Sequence, residues 1–162
     1  MNQMPVNKKE ELIYTFLMVL VMASVLTTFN IVFHNGFSLE SLKQAWLIFP
    51  ITATIAYLVE ITFVGKSAFK LISKFVKETD PLPKKILISS FCFVIQMVII
   101  MSTICALIFN PFNVNWINEW LISIPRNFII AFPLQVLIAG PLVGFVFRKL
   151  FPIGTIVEII KK

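Results

Sequence analysis

Residue types that bind metals or hold phosphate groups are scarce in this chain. Its 162 residues include one histidine, two cysteines and five glycines. A tetrahedral zinc site takes three or four ligands, which His34 and two separated cysteines do not supply. Cys92 and Cys105 would lie about 20 Å apart on one helix, too far for a disulfide. The few glycines argue against a glycine-rich phosphate-binding loop, so we predict neither a metal site nor a cofactor.

Charged residues are also scarce, at 14% of the chain, whereas hydrophobic residues reach 58% and the mean hydropathy is +0.90. A soluble domain averages about 25% charged and about 45–50% apolar residues, so this composition predicts an integral membrane protein. The net charge of +6 does not indicate a nucleic-acid partner, because the lysines stand between apolar blocks and not on one basic face. No Ser/His/Asp or Cys/His set falls on one face, so we predict no enzymatic activity.

Four apolar blocks cover residues 12–33, 45–64, 86–109 and 120–147. Each block reaches the roughly 20 residues that a helix needs to cross about 30 Å of hydrocarbon. Short loops between the first and second blocks, and between the third and fourth, make each pair an antiparallel hairpin. The predicted fold is therefore all-α, an integral membrane four-helix bundle built from two tandem transmembrane hairpins.

Lysine and arginine are distributed unevenly between the predicted loops. Twelve of the fourteen lie in the N-terminal tail, the connection 65–85 and the C-terminal tail. The loop 34–44 has only Lys43, and the loop 110–119 has none. The positive-inside rule then predicts that both termini and the middle connection are cytoplasmic. Trp46, Trp116 and Trp120 would then lie near the opposite, outer interface, the level that indole rings favour.

The stretch 65–77 is basic and amphipathic. Lys66, Lys70 and Lys74 recur at helical spacing, with Lys77 close to the same face and apolar residues between them. We interpret it as a cytoplasmic extension of the second helix or as a helix lying on the inner leaflet, and a solvated linker is the alternative. The lipid bilayer, with anionic headgroups at its inner face, is accordingly a predicted partner.

The two halves of the chain, residues 1–79 and 80–162, resemble each other. Matching residues lie 76 positions apart before the first loop and 75 positions apart after it: Thr27 with Thr103, Pro50 with Pro125, Gly65 with Gly140 and Lys74 with Lys149. Two spans in each copy give both copies the same orientation. We therefore predict a parallel repeat, related by an axis along the membrane normal.

One segment resembles a known family. Residues 125–143 read Pro-Arg-Asn-Phe-Ile-Ile-Ala-Phe-Pro-Leu-Gln-Val-Leu-Ile-Ala-Gly-Pro-Leu-Val, and residues 45–52 with 64–66 form a weaker first copy. The first copy has Leu58 and Lys66 where the second has Pro133 and Pro141. The chain resembles the bacterial membrane proteins of the domain-of-unknown-function family numbered 2798. The resemblance implies a two-helix membrane unit present twice, in a bacterial cytoplasmic membrane, and implies no activity.

Arg126 is an ionisable residue within the fourth predicted span. It lies six residues past Trp120, about 9 Å below the outer interface if the span is helical. One interpretation is an anchor whose guanidinium extends toward the headgroups or pairs with Glu119 or Glu40. The other is a site for a substrate or partner, because charges inside spans mark functional sites.

Glu60 is the only acidic residue within a predicted span. It lies about 22 Å below the outer interface, so that a direct ion pair with Arg126 is not expected. In the repeat, Glu60 corresponds to Gln135, which predicts equal depth for the two side chains. We therefore formulate the hypothesis that they form an interior polar pair, with Glu60 able to bind a proton.

These observations predict a non-enzymatic accessory or regulatory membrane protein. Its expected partners are the bilayer and either a second copy of the chain or another membrane protein. The alternative is a small oligomeric transporter or efflux component that uses Glu60 or Arg126. A transport site is expected near the midplane, and the depths of Glu60 and Arg126 do not favour that alternative.

Overall fold

The computed structural model describes residues 7–77, 79–109 and 116–152. These residues form four long helices and no strand: α1 Lys8–Asn35, α2 Leu39–Phe75, α3 Leu82–Phe109 and α4 Trp116–Leu150. Each helix is long and apolar enough to cross a membrane, which confirms the all-helical class and the four candidate spans. Most of the predicted loop 110–119, together with Lys161 and Lys162, lies outside the described residues.

The helices extend several residues beyond the apolar blocks, because capping residues in polar sequence set their ends. Asn7 begins α1, where its Oδ1 accepts a hydrogen bond of 2.8 Å from the backbone N–H of Glu10. Ser38 begins α2, where its Oγ accepts from the N–H of Ser41 at 3.0 Å. Gly36, with φ of 80°, makes the turn between the two helices.

The basic stretch after residue 64 continues α2 without a break as far as Phe75. It is therefore an extension of that helix, one of the predicted alternatives. One face is fully buried at Val64 and Ala68, whereas Lys66 and Lys70 are exposed.

Polar side chains join the helices within each hairpin at matching places in the repeat. In the first hairpin, the hydroxyls of Thr27 and Thr52 are hydrogen-bonded at 2.9 Å. In the second hairpin, Trp120 Nε1 donates to Thr103 Oγ1 at 3.0 Å. Because Thr27 and Thr103 are repeat-related, the two hairpins use the same position on their first helix to hold their second.

Two further interfaces join the hairpins to each other. α1 contacts α4 through an ion pair of 3.0 Å between Glu10 Oε2 and Arg148 Nη1 and through the edge-to-face rings of Tyr14 and Phe147. α2 contacts α3 through a hydrogen bond from the Ser67 hydroxyl to the Gln96 side-chain oxygen and through packed phenylalanine rings. The helices therefore form a ring in which neighbours are antiparallel, and α2 and α4 lie diagonally opposite.

Small residues fill the contacts between helices, and large apolar residues cover the outside. The fully buried positions include Ala68 and Ala139, and small residues allow helices to approach closely. Leu47, Leu137 and Phe63 are 76%, 72% and 70% exposed. An apolar exterior around small interior residues is typical of a bundle surrounded by lipid rather than water.

We predict that Glu10→Gln destabilises the bundle. Glu10 is 1% exposed, and its substitution removes a carboxylate from beside the largely buried Arg148 guanidinium. Losing one member of a buried ion pair typically lowers the free energy of unfolding by about 3–5 kcal/mol. Thermal denaturation in detergent should give a lower midpoint for Glu10→Gln than for Glu11→Gln, the control at the neighbouring residue. Equal midpoints for the two variants would contradict the prediction.

The linker between α2 and α3 is held by Asp80, which gives a pH prediction. Lys84 Nζ donates to the Asp80 carboxylate at 2.8 Å and the Lys77 backbone N–H donates at 2.9 Å, and both bonds hold the Asp80 pKa below its ordinary value. Since the pKa is lower in the folded state, this stabilisation is present above the unfolded-state pKa of about 3.9 and is lost as the pH falls through the folded value.

Hydrogen exchange measures this effect at the Lys77 amide. The amide should be protected near neutral pH in the wild type, and the protection should fall in acid and be absent at every pH in Asp80→Ala, which has no side-chain acceptor. Equal protection in the wild type and in Asp80→Ala would show that the Asp80 side chain does not hold the linker.

Candidate functional site

A cavity of about 2130 Å³ lies between the four helices and is lined by residues from all of them. Much of its wall is apolar, with Met22, Leu26, Met97 and Met101 among the lining residues. The volume is about twice the upper end of the 300–1,000 Å³ that is typical of small-molecule pockets. The cavity is therefore large enough for a ligand with a long apolar part.

Four polar residues at one level of this cavity form a cluster that we call the Arg126 group: Asn30, Ser102, Arg126 and Asn127. They come from α1, α3 and α4. Arg126 Nη2 donates to Asn30 Oδ1 at 3.0 Å, and Asn127 Nδ2 donates to Ser102 Oγ at 3.3 Å. The guanidinium carbon also lies 4.4 Å from the centre of the Phe33 ring, within cation–π distance.

The predicted ion pairs of Arg126 with Glu119 or Glu40 are absent among the described residues. The guanidinium instead contacts α1, because α1 is the neighbour of α4 in the ring. That adjacency arises from tertiary packing, which the sequence did not reveal. Glu119 lies seven residues before Arg126, about 10 Å away along the same helix.

The polar atoms of the Arg126 group are only partly paired with protein. A guanidinium has five N–H donors, and one of them donates to Asn30. Arg126 Nε is buried without an acceptor, and the adjacent Asn127 Oδ1 is buried without a donor, within the described structure. These two atoms are closed to a water molecule, so a ligand in the cavity would meet the remaining N–H groups of the guanidinium, which suit an anionic oxygen.

Glu60 and Gln135 line the same cavity, on α2 and α4. No hydrogen bond joins their side chains in the described residues, and the predicted direct pair is not formed. The reason is their position, since α2 and α4 lie diagonally across the bundle with the cavity between them. Gln135 lies nine residues from Arg126, about 13 Å along α4, so the cavity has polar residues at two levels.

Both helices widen into a π-helical turn at these residues. The turns cover Glu60–Val64 in α2 and Leu134–Ala139 in α4, at corresponding places in the repeat. Each turn closes on a glycine, as the Gly65 N–H donates to the Glu60 carbonyl and the Gly140 N–H donates to the Gln135 carbonyl. π-Helical turns inside α-helices occur frequently at functional sites.

Glycine, and not proline, is the residue that the two turns share. Pro133 precedes the second turn, but Leu58 stands at the corresponding place before the first. A Cβ atom added at Gly65 would lie 3.1 Å from the Glu60 carbonyl oxygen, and one at Gly140 would lie 2.9 Å from that of Gln135. The repeated glycines were visible in the sequence, but the turns were not predicted.

Several residues of the site were not singled out by the sequence as functional. Asn30 and Ser102 resembled the mildly polar residues that bond their own helix backbone or a neighbouring helix, and Phe33 is one of seventeen phenylalanines in an apolar chain. Asn127 corresponds to Thr52 in the repeat, and Arg126 corresponds to the exposed Ile51. The difference between the two copies at these adjacent positions was the signal in the sequence that could have identified Asn127 beside Arg126.

Comparison with known proteins identifies relatives over nearly the whole chain. The model of a family described as a domain of unknown function, DUF2798, matches twice, at residues 7–76 and 83–151. The uncharacterized protein YybC of Bacillus subtilis (strain 168) is 35% identical over 153 residues, which cover 90% of this chain and 94% of the relative. No solved structure matches the chain. Glu60, Arg126 and Gln135 all fall within the two matched segments.

We predict that Gly140→Ala and Gly65→Ala both destabilise the protein, with Gly140→Ala the more severe. The added methyl group meets a backbone carbonyl at each position, and the approach is closer at Gly140. Overpacking of this kind typically lowers stability by about 1–3 kcal/mol. Thermal midpoints measure the effect, with Ile138→Ala as a control at an exposed position of the same turn. A raised midpoint, as is usual for glycine to alanine in an ordinary helix, would contradict it.

Proposed function

We propose that this chain, which belongs to the DUF2798 family and contains two copies of its unit, is a multi-pass membrane carrier without enzymatic activity. It sits in a bacterial cytoplasmic membrane with both termini and the α2–α3 linker on the cytoplasmic side. The carrier binds its substrate in the cavity between its two hairpins. Arg126, Glu60 and Gln135 are the polar residues that contact the solute or its coupling ion.

The central cavity is the observation that carries this proposal. The depths of Glu60 and Arg126 in their helices were an argument against transport, since neither lies at the predicted midplane. A cavity lined by both residues removes that argument, because a solute that occupies it meets both levels. Transporters built from internal repeats commonly bind their substrates at the interface of the repeats, which is where this cavity lies.

The charges and the exterior support the membrane placement. Large apolar side chains are exposed around the bundle, and the lysines of the α2 extension and the following linker are exposed at one end. The other end, where α1 turns into α2 over residues 34–44, has a single lysine, Lys43. This asymmetry favours the orientation with both termini in the cytoplasm.

An accessory or regulatory role is the second candidate, and the basic face of α2 favours it. Lys66, Lys70 and Lys74 are exposed on one helix that projects beyond the apolar part of the span. Such a face suits anionic headgroups or an acidic segment of a partner membrane protein. Purification from native membranes followed by intact-complex mass distinguishes the candidates, since a stoichiometric foreign protein favours the accessory role and a lone chain or homo-oligomer favours the carrier.

Cysteine labelling tests whether the cavity is open to water. In a background with Cys92 and Cys105 replaced by alanine, Met101→Cys introduces a thiol into the cavity wall, whereas Ile99→Cys introduces one on the exposed face of the same helix. A charged methanethiosulfonate reagent reacts with ionised thiols, which require water. In proteoliposomes we expect Met101→Cys to react about tenfold faster or more than Ile99→Cys.

Equally slow reaction at both positions would overturn the carrier proposal. Lys77→Cys, in the linker, serves as the orientation control in the same assay. It should react only with reagent on the cytoplasmic side, and reaction from the outside alone would reverse the proposed topology.

A further inference from the structure

The Arg126 guanidinium carries a positive charge inside the bundle without a carboxylate beside it in the described residues. Among the described residues, the guanidinium donates one hydrogen bond, to the amide oxygen of Asn30, and lies over the face of the Phe33 ring. Buried or partly buried charges are normally compensated by an opposite charge. Asn30 and Phe33 orient the guanidinium but do not neutralise it, so the remaining donors suit an anion.

The rest of the cavity suits an alkyl chain. Methionine and aliphatic side chains line it on either side of the bundle axis: Met18, Val19, Met22, Leu26, Met97 and Met101. Methionine adapts its shape to irregular apolar ligands. With about 2130 Å³ available, a small anion bound at Arg126 would leave most of this apolar wall without contact.

The geometry points to an anionic amphiphile as the substrate class, with its oxyanion on Arg126 and its alkyl part along the methionine-lined wall. This inference rests on the proposed carrier function and specifies what the cavity carries. An anionic membrane phospholipid and a free fatty acid share the oxyanion and the alkyl chain, and binding measurements with each distinguish them.

Native mass spectrometry of the purified full-length chain tests the inference. Four probes are added separately: phosphatidylglycerol, phosphatidylcholine, oleate and inorganic phosphate. We expect adducts with the anionic chain-bearing probes, phosphatidylglycerol and oleate. Removing a hydrogen bond to a charged group typically weakens binding about tenfold, so Arg126→Gln should reduce these adducts by about that factor. Arg126→Lys keeps the charge and should retain part of the binding.

Two further variants locate the bound molecule. Met97→Trp narrows the cavity at its apolar wall and leaves the residues of the Arg126 group unchanged. It should reduce the adducts of both chain-bearing probes. A variant with Lys70→Gln and Lys74→Gln alters the exposed basic face of α2, which also attracts anionic lipids, and it should leave the Arg126-dependent adducts unchanged.

The outcomes separate the sources and the alternatives. Arg126-dependent phosphatidylglycerol adducts support a lipid as the substrate, and Arg126-dependent oleate adducts alone support a free acid. Equal binding of phosphatidylcholine and phosphatidylglycerol, adducts that survive Arg126→Gln, or adducts lost only in the Lys70 and Lys74 variant would each overturn the inference. Phosphate adducts as strong as those of the chain-bearing probes would also overturn it. If Met101→Cys still reacts rapidly in the labelling assay, the carrier proposal survives that result.

Discussion

The contact between α1 and α4 decides whether this chain is one bundle or two hairpins joined by a linker. Two arginines make its polar part, Arg148 to Glu10 at one end of α1 and Arg126 to Asn30 near the other. They are the only arginines in the sequence, and the remaining cationic residues are twelve lysines. A guanidinium presents several donors in a fixed plane and is less strongly hydrated than an ammonium, which suits a contact made between helices. The cavity lies between the helices of the ring that these two contacts close.

The second interface between the hairpins, α2 with α3, is built differently. In the repeat, Arg148 corresponds to Ser73 and Arg126 corresponds to Ile51, so the α2–α3 interface has no equivalent of either arginine contact. It uses Ser67 with Gln96 and the packed rings of Phe69 and Phe93. One interface of the pseudosymmetric bundle is therefore charged, and the other is neutral. A cavity between unequal walls can hold a ligand in one orientation, which a symmetric cavity could not specify.

Most of the fold could be predicted from the sequence, because length and hydropathy alone identify four candidate spans. The helix ends could not, since Asn7 and Ser38 cap helices in polar sequence outside the apolar blocks.

The site was predicted only as a set of residues. Arg126, Glu60 and Gln135 do line one cavity, yet the contact of Arg126 with Asn30 was not predicted, because the order of the helices in the ring comes from tertiary packing. The π-helical turns were not predicted from the sequence. A Cβ atom at Gly65 or Gly140 would lie too close to a backbone carbonyl oxygen, and the sequence shows only that glycine is repeated there.

The paired π-helical turns also show which features the two copies share and which they do not. A π-helical turn contains one residue more than the α-helical turn it replaces. Both copies contain the turn at corresponding places and close it with glycine. Arg126 and Arg148 occur in the second copy alone. The two hairpins therefore match in backbone shape at these turns, whereas they differ in charge where they meet.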